Sequence, residues 1–323
     1  MRLRLLHPMS VVSKIAKFSR KIRPIPGSRF LIEQARHKYA ARHTLNQFAP
    51  RVIENFDGDL LFGVDINSPL GSWIYWHGYH GTDELMVIDR LLRQDSVVFD
   101  IGASIGQFTL FMAKRVPHGH VVALEPANTA YQQLIENVQR NDFTNVTTLP
   151  VGAAALNLEA ELYDTFFGDD IFGVSERGTA SMYKGSESAQ SIGTASFRSI
   201  DDIATELNLK QVDLIKLDVE GAELEALKGA EQTLKTYQPH LVVEVGAELC
   251  ARAQIKPSDL FQFLEELNYE AFLIKHGAFT QSFSVNWKKR FGHLERIKKS
   301  DLPSFANLLF SPKGQINPEK FGQ

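Results

Sequence analysis

Cysteine is almost absent from this sequence: Cys250 stands alone among 323 residues. No internal disulfide can form, no cysteine metal cluster is possible, and no oxidising compartment is implied. Long apolar runs are missing too. No stretch reaches the about 18 residues of a membrane-crossing helix. The opening Met-Arg-Leu-Arg-Leu-Leu-His-Pro lacks the apolar core of a secretory signal. What is present is an ordinary globular balance, 44% hydrophobic and 23% charged. That balance excludes a disordered chain, a collagen and a coiled coil.

The net charge of −3 conceals an asymmetry. Residues 1–43 hold eleven Lys and Arg against one acid, Glu33, a net +10 that leaves −13 for the rest. A basic arm on an acidic body points to an anionic partner or a solubilising tail. The acidic body argues against a specific nucleic-acid partner, which needs a broad positive footprint. Val11, Ile15, Phe18 and Ile22 fall at helical spacing, with Lys14, Lys17 and Lys21 on another side. Such a helix can lie on a membrane surface; packing against the body is the favoured reading. Pro24 and Pro26-Gly27 interrupt it before a second helix over about 29–42. A cytoplasmic location is expected, with peripheral contact at the inner membrane face if the leader meets lipid.

Residues 50–82 read as short strands and turns. Within them Gly71–His80 is rich in aromatics and histidine, which suits either a substrate mouth or a packed cap. A helix over 83–93 follows. From residue 97 short apolar strands alternate with helices. Strands are predicted at 97–100, 121–125, 146–151, 214–218 and 241–244, with closing strands at 269–274 and 305–310. Helices are predicted at 108–115, about 127–140, about 222–236 and about 257–267. This alternation predicts βαβ units and a mostly parallel sheet. Residues 165–196, rich in Gly, Ser, Asp and Thr, read as a lid, a substrate loop or a mobile insertion.

Four of these strands end in an acid: Asp100, Glu125, Asp218 and Glu244. In open parallel sheets, ligands bind at the carboxyl ends of the strands. Carboxylates gathered there repel one another unless a ligand or a cation balances them; capping of the following helices is the plainer account. Asp100-Ile-Gly102-Ala-Ser-Ile-Gly106 allows a tight turn and close passage into a helix. It is not the Gly-x-Gly-x-x-Gly that cradles a pyrophosphate. A carboxylate there opposes a phosphate and suits a cationic amino acid end. Glu125, at the second strand tip, suits both hydroxyls of a ribose. Together these describe S-adenosylmethionine.

Val98–Gly106, Leu124-Glu-Pro126, Asp213-Leu-Ile-Lys-Leu-Asp-Val-Glu-Gly-Ala-Glu223 and Pro239–Glu244 resemble the FkbM-type methyltransferases. Ile215–Gly221 is the most specific of these segments. The resemblance covers about 83–245 well, 246–312 in general layout, and excludes the leader. Where the family often has an aromatic-Glu pair, this chain has His80-Gly81, with Asp83 or Glu84 as substitutes. The resemblance implies a class I methyltransferase (Rossmann-like) fold, α/β and doubly wound, with a mostly parallel seven-stranded sheet; the helical spacing of the leader adds an N-terminal helical extension. Four regions follow: the basic extension 1–45, a cap or substrate-side segment 46–96, the methyltransferase domain 97–312, and a tail 313–323.

It further implies S-adenosylmethionine as donor and O-methylation of a sugar, glycan or secondary metabolite. By the match, Asp100, Gly102, Ala103 and Gly106 hold the donor's methionine side, and Glu125 the ribose. Pro126 shapes the ribose loop, and Asn141, Asp142 and Gly152 face the adenine. Asp218, Glu220 and Glu244 are the catalytic candidates: a base, a Mg²⁺ site, or donor-positioning groups. No metal is expected, though oxygen ligands would suit Mg²⁺. Lys216 either balances this cluster or snorkels past the sheet. His77, His80, His240 and His276 read as structural. Two other readings remain open: a nicotinamide-dependent oxidoreductase, and a catalytically weak Rossmann-like module binding an anionic membrane or RNA through its leader.

Overall fold

The computed structural model describes residues 11–22, 28–40, 50–169, 175–187, 189–275, 293–319 and 321. Two helices open it, α1 (Val11–Ile22) and α2 (Ser28–Ala40). A hairpin of β1 (Pro50–Phe56) and β2 (Leu60–Asp65) leads to α3 (Pro69–His77) and α4 (Thr82–Leu91). Alternation then begins with β3 (Val97–Ile101), α5 (Gln107–Arg115), β4 (His120–Leu124), α6 (Asn128–Arg140) and β5 (Val146–Leu149). Next come β6 (Val151–Ala153), β7 (Leu158–Asp169), β8 (Ser175–Ser181) and β9 (Ser191–Arg198). Alternation resumes with α7 (Ile200–Glu206), β10 (Leu214–Leu217), α8 (Glu223–Lys228), α9 (Glu231–Tyr237) and β11 (His240–Gly246). The chain closes with α10 (Ala247–Arg252), α11 (Pro257–Glu266), β12 (Tyr269–Ile274), β13 (Leu294–Ile297) and β14 (Phe305–Pro312).

The main sheet runs β13-β12-β14-β11-β10-β3-β4-β5. Strands β11, β10, β3, β4 and β5 are mutually parallel. Strand β14 enters antiparallel between β11 and β12, and β13 pairs antiparallel at the edge. Among the described residues the sheet is therefore mixed and has eight strands, where a mostly parallel sheet of seven was expected. The added strand, Leu-Glu-Arg-Ile, is too short and too charged to stand out in sequence.

Alternate side chains on the central strands feed two separate cores. Val98, Val121, Ala123, Leu214 and Val242 pack with α4, α5, α6 and the β1–β2 hairpin. Phe99, Val122, Leu124, Ile215 and Val243 pack with α7, α8, α9 and α11. Burial on both faces explains why these strands read as continuous apolar runs.

Three local expectations change. Gly71–His80 is mainly helix α3: Ser68 caps it by accepting from Gly71 N at 3.0 Å, Pro69 opens it, and Gly78 at φ +92° ends it. Tyr75 and Trp76 are each only 2% exposed, so the aromatics form a cap and not a mouth. Residues 165–196 belong largely to β7, β8 and β9, a second sheet ordered β6-β9-β7-β8. The expected helix over 222–236 splits at Gly229, where a Cβ would lie 2.1 Å from the Ala154 carbonyl. Asp201 captures the second start, accepting from Thr233 N at 2.8 Å and Gln232 N at 2.9 Å.

The leader helices rest on α3. The Arg20 guanidinium donates to the Tyr75 carbonyl. Glu33 meets the buried His77 ring at 2.7 Å and Arg36 at 2.9 Å. Pro24 and Pro26-Gly27 lie outside the described residues, as does His276. No helix among the described residues is long and apolar enough to cross a membrane.

Candidate functional site

Strand register brings the acids together. Asp100, Lys216 and Val242 are direct partners across β3, β10 and β11. Side chains alternate along a strand, so Asp100 and Lys216 share the α4–α5 face with Val98 and Leu214. Asp218 and Glu244 each follow the paired residues Leu217 and Val243 by one position, at the carboxyl ends of neighbouring parallel strands. Glu220 joins them from the turn before α8. Carboxylate oxygens of Asp218, Glu220 and Glu244 all lie within 4.8 Å of one another.

Lys216 answers this negative charge. Its ammonium donates to Asp218 Oδ2 at 3.0 Å and lies 4.6 Å from the centre of the Phe108 ring. Burial works against its charge, but Asp218, Asp100 and Glu244 together outweigh burial and raise its pKa. Glu244 shifts up strongly. Burial is the largest cause, followed by repulsion from Asp218 and Glu220, with Lys216 opposing. At neutral pH the cluster therefore holds a proton on Glu244. The trio can accept a proton from a bound hydroxyl once that proton leaves, or embrace a hard cation through its oxygens.

The glycine turn sits against the same rim. Gly102 has φ +78°, and a Cβ there would lie 1.8 Å from the Asp218 carbonyl oxygen. Only glycine permits both the left-handed turn and this approach. Gly102 N and Ala103 N donate to the Leu124 carbonyl at 3.0 and 2.9 Å. Gly106 starts α5, and a Cβ on it would meet Leu134 Cδ1 at 2.8 Å.

Asp100 is fully buried; Oδ2 accepts from Thr109 Oγ1 at 2.5 Å, while Oδ1 has no hydrogen-bond partner among the described residues. Burial raises its pKa against the pull of Lys216 and Thr109. Glu125 accepts from Ser104 N at 2.8 Å through Oε2 and from Ala127 N at 2.9 Å through Oε1. Burial lifts its pKa to about 7 against those two bonds. Pro126 lies between Glu125 and Ala127, within the turn that this last bond closes.

Two of the adenine-side expectations fail on topology. Asn141 and Asp142 follow α6 at the opposite rim of the sheet. There Asn141 exchanges two bonds with the Leu61 backbone, each 2.8 Å, and so anchors the β1–β2 hairpin. Gly152 does continue from the carboxyl end of β5, but a Cβ on it would sit 2.3 Å from the Phe197 ring. Its smallness accommodates Phe197 of β9. His240 likewise starts β11 at the far rim; burial lowers its pKa to about 4 and keeps it neutral.

The site also includes Gln107 and Ser181, given no role from sequence, and Glu84, one of the two substitutes named for the aromatic-Glu pair. Gln107 clasps His80, donating to its carbonyl at 2.7 Å and accepting from its N–H at 2.8 Å. Glu84 accepts from Asn307 Nδ2, and Asn307 is the β14 partner of Glu244. Glu84 thus takes a place beside the acid rim. Ser181 donates to the Glu220 carbonyl at 2.8 Å, tying β8 to the acidic turn.

Glu223 holds that turn from inside, with Oε1 accepting from Val219 N at 3.2 Å and Gly221 N at 3.1 Å. Glu220 is left-handed at φ +55°, and Gly221 at φ +105° backs onto the Leu249 carbonyl. Two carboxylate bonds inside a tight loop were the signal available in Asp218-Val-Glu-Gly-Ala-Glu223. Burial raises the Glu223 pKa from 4.5 to about 7. Its contribution to stability is therefore full below the unfolded value and is lost as pH rises through the folded one. Glu223→Gln keeps the accepting oxygen and cannot ionise. The variant's melting temperature should fall less than that of the parent between pH 5 and 8, by about 5 °C. Parallel melting curves would remove Glu223 as a titrating group.

A sheet with its acids and glycine turn on one carboxyl rim defines a methyltransferase-like α/β fold. The family model of the methyltransferase FkbM domain matches residues 100–271. The chain belongs to this methyltransferase family.

Methyltransferase sdnD of Sordaria araneosa is 30% identical over 186 residues, 51% of this chain and 72% of that protein. AMB antimetabolite synthetase AmbE of Pseudomonas aeruginosa is 28% identical over 216 residues, 58% of this chain but 10% of its own length. Hexuronic acid methyltransferase AglP of Haloferax volcanii is 27% identical over 194 residues, 60% of this chain and 71% of that protein.

Proposed function

We propose that this methyltransferase takes its methyl group from S-adenosylmethionine and places it on a hydroxyl of a sugar, glycan or secondary metabolite. One observation carries the reading: two buried carboxylates, Asp100 and Glu125, flank a single glycine turn, and among the described residues Asp100 keeps an oxygen without a partner. A buried acceptor without a partner is costly and favours a ligand donor. An ammonium fits Asp100 Oδ1. Glu125 gives one lone pair of each oxygen to backbone N–H groups and retains another on each for the two ribose hydroxyls. A 2′-phosphate would be repelled there, which disfavours a phosphorylated dinucleotide.

The donor supplies a methyl already activated on a sulfonium, so the chain's own task is alignment and proton removal. Asp218 stands one residue beyond β10, Glu220 in the turn that follows, and Glu244 near the carboxyl end of β11. As the acceptor oxygen takes the methyl and the donor sulfur becomes neutral, ionised Glu244 or Asp218 takes the hydroxyl proton; Lys216 offsets the cluster's negative charge before that transfer, and Glu223 holds the acidic turn in place. His80, exposed at the end of the aromatic segment Gly71–His80, offers an acceptor-side contact. A sugar acceptor gains support from AglP, whose name specifies a hexuronic acid.

The decisive experiment incubates the protein with cell extract and donor carrying an isotopically labelled methyl, then uses mass spectrometry to find the labelled molecule. Label on a hydroxyl oxygen is expected. Label on nitrogen or carbon would overturn the O-methylation assignment.

A further inference from the structure

We propose that the outward face of α1 and α2 docks on an anionic lipid bilayer and holds this protein at a membrane surface. That face presents large apolar groups to water. Phe18 is 61%, Phe30 63%, Leu31 62% and Ile15 44% exposed. The opposite face is already committed. Ala16, Ser19, Ile32, Glu33 and Arg36 are buried, and the contacts of Arg20 with Tyr75 and of Glu33 with His77 fix both helices on α3. The helices cannot roll to hide the exposed groups without breaking these polar ties.

Charge selects the occupant. Lys14, Ile15, Phe18 and Lys21 are exposed along one side of α1, so ammonium groups bracket the apolar pair. An apolar stripe edged by lysines matches the boundary between acyl chains and anionic headgroups. Lysine stems can lie along the stripe while their charges stay at headgroup level. The −13 of the remaining chain also orients the molecule, because an anionic surface repels the body and attracts the leader. A second copy is a poorer occupant, since two such faces would oppose lysine to lysine. RNA is poorer too, because the face offers few cations and buries its leader arginines Arg20 and Arg36 inward, toward α3 and Glu33.

The test uses the full chain, sedimented with vesicles of phosphatidylcholine alone or with one part phosphatidylserine in about three. Binding to the anionic vesicles, weakened by salt, is expected. Phe18→Ser with Phe30→Ser should reduce it about tenfold by removing apolar anchors. Lys14→Gln, Lys17→Gln and Lys21→Gln together should reduce it by at least about tenfold. Both sets should leave the melting temperature within about 2 °C of the parent, because Phe18, Phe30, Lys14 and Lys21 are exposed and Lys17 is only half-buried. Four results would each overturn the proposal: no sedimentation with either vesicle, unchanged binding by both variants, a dimer that Phe18→Ser with Phe30→Ser dissolves, or lysine-dependent binding of single-stranded RNA without vesicle binding. None of these readouts depends on the methyl donor, so this proposal fails separately from the functional one.

Discussion

Glu125→Ala should weaken binding of S-adenosylmethionine, or of its demethylated product, about a hundredfold, equivalent to about 2.7 kcal/mol. The carboxylate is positioned before any ligand arrives, because Ser104 N and Ala127 N hold its two oxygens. Each hydroxyl it accepts forms a charge-assisted bond worth about 1.5–3 kcal/mol. Losing two such bonds, less the gain from removing a buried acid, gives the stated factor.

The pH dependence follows from its pKa of about 7. The ionised form is the better acceptor, so donor affinity should rise between pH 6 and 8 in the parent and stay flat in the variant. Titration calorimetry at both pH values measures this. Unchanged affinity in Glu125→Ala would put the ribose elsewhere.

Glu244→Gln should lower the methyl-transfer rate about 10²- to 10³-fold while leaving donor affinity within about threefold. Glu244 holds its proton well above the usual carboxylate range, by burial first and by Asp218 and Glu220 next. A base works only when deprotonated. The parent rate should therefore climb as pH rises from neutral into the alkaline range, with the fraction of ionised Glu244. Glutamine cannot ionise, so this limb disappears in the variant. Lys216 and Asp218 remain paired at 3.0 Å in it, which keeps the rest of the cluster in place. A variant that retains both the rate and the alkaline limb would remove Glu244 as the base and leave Asp218 in its place.

The acid rim was legible because each acid closes a buried apolar run, and runs of that kind align in a parallel sheet. The pairing of Asp218 with Glu244 needed only the neighbouring order of their strands. Lys216 was not legible, because its direction depends on side-chain parity within three registered strands. With Asp100 and Lys216 in register, that parity turns the ammonium toward the acids. Asn141 and Asp142 were misplaced for a geometric reason that the sequence did contain. A helix of 13 residues, Asn128–Arg140, rises about 20 Å, so its end lies across the sheet from its start.

The β7–β9 sheet was missed because Ser, Thr and Gly obscured a strand pattern, although Ala195 and Phe197 alternate inward in β9. Helix α3 was missed although Ser68-Pro69 is a standard helix opening. Composition outweighed capping in that reading.

The seating of the leader on α3 also bears on how the catalytic unit can be isolated. Truncation before residue 50 would remove Glu33 from the wholly enclosed imidazole of His77 and Arg20 from the Tyr75 carbonyl. Three residues beyond His77, the same stretch meets Gln107 at the start of α5, next to the glycine turn. A shortened expression clone would thus disturb the helix that borders the acid rim, and single-residue exchanges on the outer face are the cleaner way to test the arm by itself.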